Sequence, residues 1–183
     1  SPSGRGSLLG GVVVMAVAAP SLARFFRGRS LDSEARRFVS LTHYGQSRAV
    51  SEGVPMILWI DPDQRRYGLT EEFSFTDRDA KAVEYELGKD LIVEVENTAM
   101  AARQTVPAGL TAENRSFGRN ATTIRFSPDG FMSESSPTNL WIREDEQRAG
   151  ARKASDRDEI WITLGRNRLT YEIQTNNLPY ARR

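Results

Sequence analysis

The sequence predicts an α+β fold in which one long N-terminal helix packs on a head of antiparallel strands. Two observations carry this. Apolar residues recur at helical spacing as far as Ala49, and beyond Gly53 the pattern changes to short alternating runs cut by Gly, Pro, Asn and Asp. No second helical stretch of comparable length follows.

Residues 1–30 read as a hydrophobic stem. Leu8, Leu9, Val12, Val13, Val14, Met15 and Val17 lie in an apolar run that meets Pro20, after which Leu22, Phe25 and Phe26 resume the helical period on one face. Proline removes one backbone hydrogen bond and bends a helix without necessarily ending it. The predicted element is therefore one kinked helix from about Leu8 to Gly53. The run Leu8 to Ala19 covers 12 residues, and a membrane span needs roughly 20, so as written it does not cross a bilayer alone. A second reading stays open: Arg5 ahead of the run and Ala16, Ala18 and Ala19 within it have the outline of a secretory signal core.

Residues 31–183 read as an amphipathic helix followed by a β-rich head. Leu31, Ala35, Phe38, Leu41 with Thr42, Gly45 and Ala49 form one stripe, and its residues become small after Leu41, so a sheet can approach closely there. Glu34, Arg36, Arg37, Gln46, Arg48 and Glu52 are expected on the opposite, water-facing side. Gly53 and Pro55 are stop signals. Strands are predicted at Pro55 to Ile60, Arg66 to Leu69, Val83 to Leu87, Leu91 to Val95, Thr122 to Phe126, Asn139 to Arg143, Glu159 to Leu164 and Leu169 to Ile173, with Phe131 and Met132 opening a return strand. A long irregular stretch from Asn97 to Asn120 and a charged loop from Glu144 to Asp158 interrupt them.

Composition excludes several classes of function. With 183 residues, 39% apolar and 9% aromatic, the chain can build one core. Its 25 Lys and Arg against 24 Asp and Glu leave a net charge of +1, too little for a global field that steers the protein onto nucleic acid or anionic lipid. The absence of cysteine rules out disulfides and thiolate chemistry, and the single histidine, His43, rules out a histidine-based zinc cluster. No phosphate loop or dinucleotide fingerprint is present, and neither Asp61 with Asp63 nor Asp77 with Asp79 has the glycine and distal glutamate of a calcium loop. The expectation is a protein without catalysis, cofactor or metal.

Three segments suggest a family. Ser33-Glu34-Ala35-Arg36-Arg37-Phe38 running on to Gln46-Ser47-Arg48-Ala49-Val50-Ser51-Glu52-Gly53-Val54-Pro55, then Ile124-Arg125-Phe126-Ser127-Pro128-Asp129-Gly130, then Gly165-Arg166-Asn167-Arg168, resemble in order and spacing the GspH-type minor pseudopilins of type II secretion and the related FimT-like minor pilins of type IV pili. The resemblance implies a pilin-like fold and a filament subunit. It implies insertion in the bacterial inner membrane as a single pass with the head in the periplasm, processing and methylation by a prepilin peptidase, and assembly with other pilin or pseudopilin subunits near the tip. The stem would join the filament core.

The sequence departs from the family at its start. The cleavage-site glycine followed by Phe or Met, with Glu at the fifth mature position, is missing: aligning Pro20 with the usual stem proline puts Ser3 in the glutamate's place, and aligning Gly6 with the cleavage glycine puts Gly11 there. Processing and membrane insertion are left open by this departure, which a truncated or altered start would explain. A further alternative comes from the arginines. Arg166 and Arg168 match the C-terminal Gly-Arg-x-Arg element associated with DNA binding in FimT-like pilins, and Arg182 and Arg183 after Tyr180 could join them, since guanidinium forks pair with phosphate oxygens and tyrosine stacks on bases. Secretion pseudopilins share much of the pattern, so a solvated turn is the competing account.

Overall fold

A computed structural model describes residues 10–72, 79–96, 121–145 and 159–174, with side chains described from Ser30 onward. Helix α1 spans Gly10–Glu52 without interruption at Pro20, in agreement with the continuous-stem reading. Forty-three residues at 1.5 Å each make a rod about 65 Å long. It ends where Gly53 adopts φ +69° and returns its N–H to the Ala49 carbonyl at 3.1 Å, a left-handed cap that residues with a β-carbon rarely take.

Eight strands follow: β1 Met56–Asp61, β2 Arg66–Glu71, β3 Val83–Glu86, β4 Leu91–Val95, β5 Thr122–Phe126, β6 Asn139–Glu144, β7 Glu159–Leu164 and β8 Tyr171–Gln174. Each falls on a predicted run, and the head of antiparallel strands that the sequence predicts takes the form of two antiparallel sheets, with strand orders β3-β2-β1-β5 and β4-β6-β7-β8. The chain first crosses from one sheet to the other between β3 and β4, at Gly88-Lys89-Asp90, before β5 returns to the first sheet. Arg65 fixes this crossing: its guanidinium donates to the carbonyls of Gly88, Lys89 and Leu91 at 2.8, 2.5 and 2.8 Å, and its own carbonyl accepts from Leu87 N. Those contacts hold the chain in a path that leads away from β3, so no hairpin forms.

The expected return strand at Phe131 and Met132 is also corrected. It is reduced to a single bridge between Phe126 and Met132, because Ser127 N bonds Phe131 O, Ser133 N bonds Arg125 O and Ser136 N then bonds Ser133 O, which turns the chain away.

One core fills the space between α1 and the inner faces of both sheets. The predicted stripe of Leu31, Ala35, Phe38, Leu41, Thr42, Gly45 and Ala49 is buried along its length, against Leu58, Ile60 and Phe126 of the first sheet and Leu140, Ile142 and Ile162 of the second. Strand β1 is buried on both faces. Its alternate residues Ile57 and Trp59 form a second cluster with Ala121, and the Trp59 indole lies where a β-carbon on Gly68 would come within 2.6 Å of it and 2.4 Å of Val83 O.

The polar side of the helix differs from expectation. Glu34 and Arg48 are 7% and 3% exposed instead of water-facing. Two rows of residues at alternating four- and three-residue steps explain this: 31, 35, 38, 42, 45, 49 and 34, 38, 41, 45, 48, 52 lie side by side, so the buried face is wide enough to take both.

Candidate functional site

The structure concentrates its polar chemistry where the head is fastened to α1. At the near end, Tyr67 of β2 donates its hydroxyl to Glu34 Oε1 at 2.7 Å and accepts from Arg37 Nε at 2.9 Å, while Arg37 Nη2 reaches Glu34 Oε2 at 2.5 Å and the Glu86 carbonyl at 3.2 Å. The Arg37 guanidinium also lies 4.8 Å from the centre of the Tyr85 ring. Burial, reinforced by the Glu34 carboxylate, pushes the Tyr67 hydroxyl well above the ordinary tyrosine range.

At the far end Arg48 is the hub. Its guanidinium donates to Asp79 at 3.1 and 3.2 Å, to both oxygens of Glu52 at 3.1 and 3.0 Å, to Glu71 at 3.3 Å and to the Lys81 carbonyl at 3.3 Å. The side chains of Arg48 and Asp79 are 4% and 2% exposed. Burial alone would lower the Arg48 pKa, but the bonds from Glu52 and Asp79 more than reverse it and hold the charge firmly. Burial would likewise raise Asp79, and Arg48 with the backbone N–H groups of Lys81 and Glu71 brings it below the usual range. Glu52 is lowered to about 2 by its bonds with Arg48 and Lys81. This clamp joins α1 to both ends of the β2–β3 connection.

Between the two ends, the Gln46 carboxamide donates to Gly130 O at 2.7 Å and to Leu169 O at 3.0 Å, and so ties the helix to a turn from each sheet. None of these anchors stood out as functional in the sequence. For Glu34, Arg48 and Glu52 the signal is the second row of the buried face, on which all three lie.

The site residues expected from sequence are distributed as follows. Val12, Val13, Val14, Met15, Val17, Pro20, Leu22, Phe25 and Phe26 belong to α1, and their side chains, like Leu8, Leu9, Arg182 and Arg183, lie outside the described residues. Arg166 is exposed at the β7–β8 turn. Arg168, two residues on, adopts φ +54° and donates to the carbonyls of Ser133 and Glu134, at 3.3 Å each, which fastens the turn to a neighbouring loop. His43 is exposed. Asp61 is buried and accepts from Gln64 N at 3.0 Å, a turn-forming contact. Among the described residues no group of His, Asp and Glu is placed to hold a metal ion, and no helix is long and apolar enough to cross a membrane.

Residues 34–155 match the family described as type II transport protein GspH. Among solved structures, the minor pseudopilin EpsH from the type 2 secretion system of Vibrio cholerae is similar to this chain with a TM-score of 0.53 and 15% identity, over 81% of this chain and 99% of that one. A crystal structure of the minor pseudopilin EpsH from the type II secretion system of Vibrio cholerae has a TM-score of 0.48 and 13% identity, over 80% and 96%. No curated protein sequence matches.

Proposed function

Because the chain belongs to the GspH family of type II transport proteins, we propose that it acts by assembly, as a minor pseudopilin of a type II secretion pseudopilus near its tip, and catalyses no reaction. The observation that supports this most is α1 itself, a 43-residue helix whose second half is bound into the head at Glu34, Gln46 and Arg48. A head fixed to its stem at both ends transmits an axial push as a rigid body. The apolar residues from Leu8 to Phe26 would pass from the inner membrane into the filament core, and a prepilin peptidase would process a start that carries its motif. Other pseudopilin subunits are the partners.

The arginine turn supports assembly over DNA uptake. A phosphate grip needs several free cations on one face, whereas Arg168 already serves two carbonyls of the head. The test of the proposal is deletion of the gene in its host. Type II substrates are then expected to accumulate in the periplasm and to be released again on complementation with the full chain; unaltered secretion would overturn the reading.

A further inference from the structure

The outer faces of the two sheets differ. On the first, Ile57 and Trp59 of β1 are 0% and 1% exposed; on the second, Trp141 of β6 and Trp161 of β7 are only partly buried. These two alternate with the core-facing Leu140, Ile142, Ile162 and Leu164, sit opposite each other in register, and stack with ring centres 4.9 Å apart at 29°. Each indole N–H is held by a carboxylate, Trp141 by Glu94 at 2.6 Å and Trp161 by Glu159 at 2.8 Å. The rings are thus fixed in advance, which removes much of the ordering cost of binding, and oriented, half-exposed aromatics dominate protein interfaces.

The two halves of the pair differ in one group. Beside Trp141, Arg143 closes its guanidinium fork on Glu94, with Nε 3.1 Å and Nη2 2.6 Å from the two carboxylate oxygens. Beside Trp161, Glu159 and, diagonally across on β8, the exposed Glu172 have no arginine bonded to them among the described residues; Arg143, opposite Glu159 in register, is turned to Glu94. Among the described residues this face therefore presents Glu94, Glu96, Glu159 and Glu172 against Arg143 as its cation. Elsewhere the chain itself fills such a setting of carboxylate and aromatic ring with arginine: Arg37 bonds Glu34 at 2.5 Å while its guanidinium lies 4.8 Å from the centre of the Tyr85 ring. A guanidinium suits it because its plane stacks on the ring while its N–H groups bond the carboxylate.

Size narrows the source of that arginine. Four strands about 4.8 Å apart and about 17 Å long make a face of roughly 250 Å², well under the ~800 Å² per partner of a stable complex. Such a face does not hold a free protein by itself; it suits a neighbour that another contact already keeps at high local concentration. On the assembly reading that neighbour is another pseudopilin, held through its stem.

We infer that Trp161, Glu159 and Glu172 receive an arginine from the head of a neighbouring pseudopilin of another kind, a lateral contact between heads. This contact presupposes the assembly reading, but the test separates the two. Benzoylphenylalanine is placed at Thr163 or at Gln174, which share the outer face with Trp161, in the full chain expressed in its host with the other pseudopilins. The peptide captured on irradiation is then sequenced by mass spectrometry. An arginine-bearing peptide from the head of another pseudopilin is expected. The isosteric double variant Glu159→Gln/Glu172→Gln and, separately, Trp161→Leu should each lower its yield about tenfold or more, the scale of an interface hot spot. The proposal is overturned if the captured peptide lacks arginine or belongs to this chain itself, if the variants capture it as well as the parent does, or if no peptide, or only a glycan, is captured at both positions. Each of these results is scored in cells that still secrete, so the assembly reading stands; that reading falls only if deletion of the gene leaves secretion unaltered.

Discussion

Phe126 occupies the space that a side chain on residue 45 would need: a β-carbon on Gly45 would lie 2.9 Å from Phe126 Cε2 and 2.8 Å from Leu69 Cδ1. The helix and the first sheet therefore approach as closely as they do because residue 45 has no side chain. Gly45→Leu should overpack this contact and destabilise the head by about 1–3 kcal/mol. The urea midpoint of the variant checks this, and an unchanged midpoint would show that the close approach carries no strain.

Removing the Arg48 hub should cost more. Arg48→Met leaves Asp79 buried with its main cation gone, a loss of about 3–5 kcal/mol for a broken buried pair. The double variant Arg48→Met/Asp79→Leu should recover part of that loss, because it removes the stranded charge. A double-mutant cycle in urea measures the coupling, and strict additivity would contradict the clamp.

The same clamp sets an acid limit. Glu52, held at about 2 by Arg48 and Lys81, and Asp79, held below its usual value, have lower pKa values folded than unfolded. Their contribution is complete above the ordinary carboxylate values of 4.5 and 3.8 and is lost as pH falls through the folded ones. Stability should therefore be level near neutrality and decline from about pH 4.5 toward 2. In Arg48→Met the slope over that window should flatten, as read from urea midpoints against pH.

Much of this architecture was legible in the sequence, for physical reasons that also explain the failures. Period-3.6 and period-2 patterns report which face a core claims, so α1 and its stripe of Leu31, Phe38 and Leu41, and the eight strand positions, could be read directly. Sheet membership could not, because Gly88-Lys89-Asp90 looks the same in a hairpin as in a crossing, and the deciding contacts come from Arg65, some two dozen residues earlier. Residue type alone assigns charged residues to water, and that expectation fails for Glu34 and Arg48, whose partners Tyr67 and Asp79 are distant in sequence. The glycine at 45 was readable as a close approach; the turn role of Arg168 was not, since its acceptors are backbone carbonyls that no residue pattern announces.

That role gives another prediction. Arg168→Ala should loosen the Ser133–Pro137 loop, seen as faster amide exchange at Ser136, whose N–H bonds Ser133 O. Arg166→Ala, at an exposed position, should leave exchange and stability within about 0.5 kcal/mol of the parent. On the assembly reading neither variant alters DNA affinity, because the parent has no salt-sensitive affinity to lose; a parent that binds duplex DNA at low salt and loses it in Arg166→Ala would restore the DNA-uptake alternative.

The central claim is that the stem enters a filament made with other subunits, and the absence of cysteine from the chain allows a clean test. Single cysteines placed at Val14 and at Phe25 on α1, in cells expressing the other pseudopilins with matching stem cysteines, should form disulfide-linked heterodimers on mild oxidation. These products should vanish when the partner subunit is deleted. A stem that stays monomeric at both positions, while secretion proceeds normally, would contradict the account.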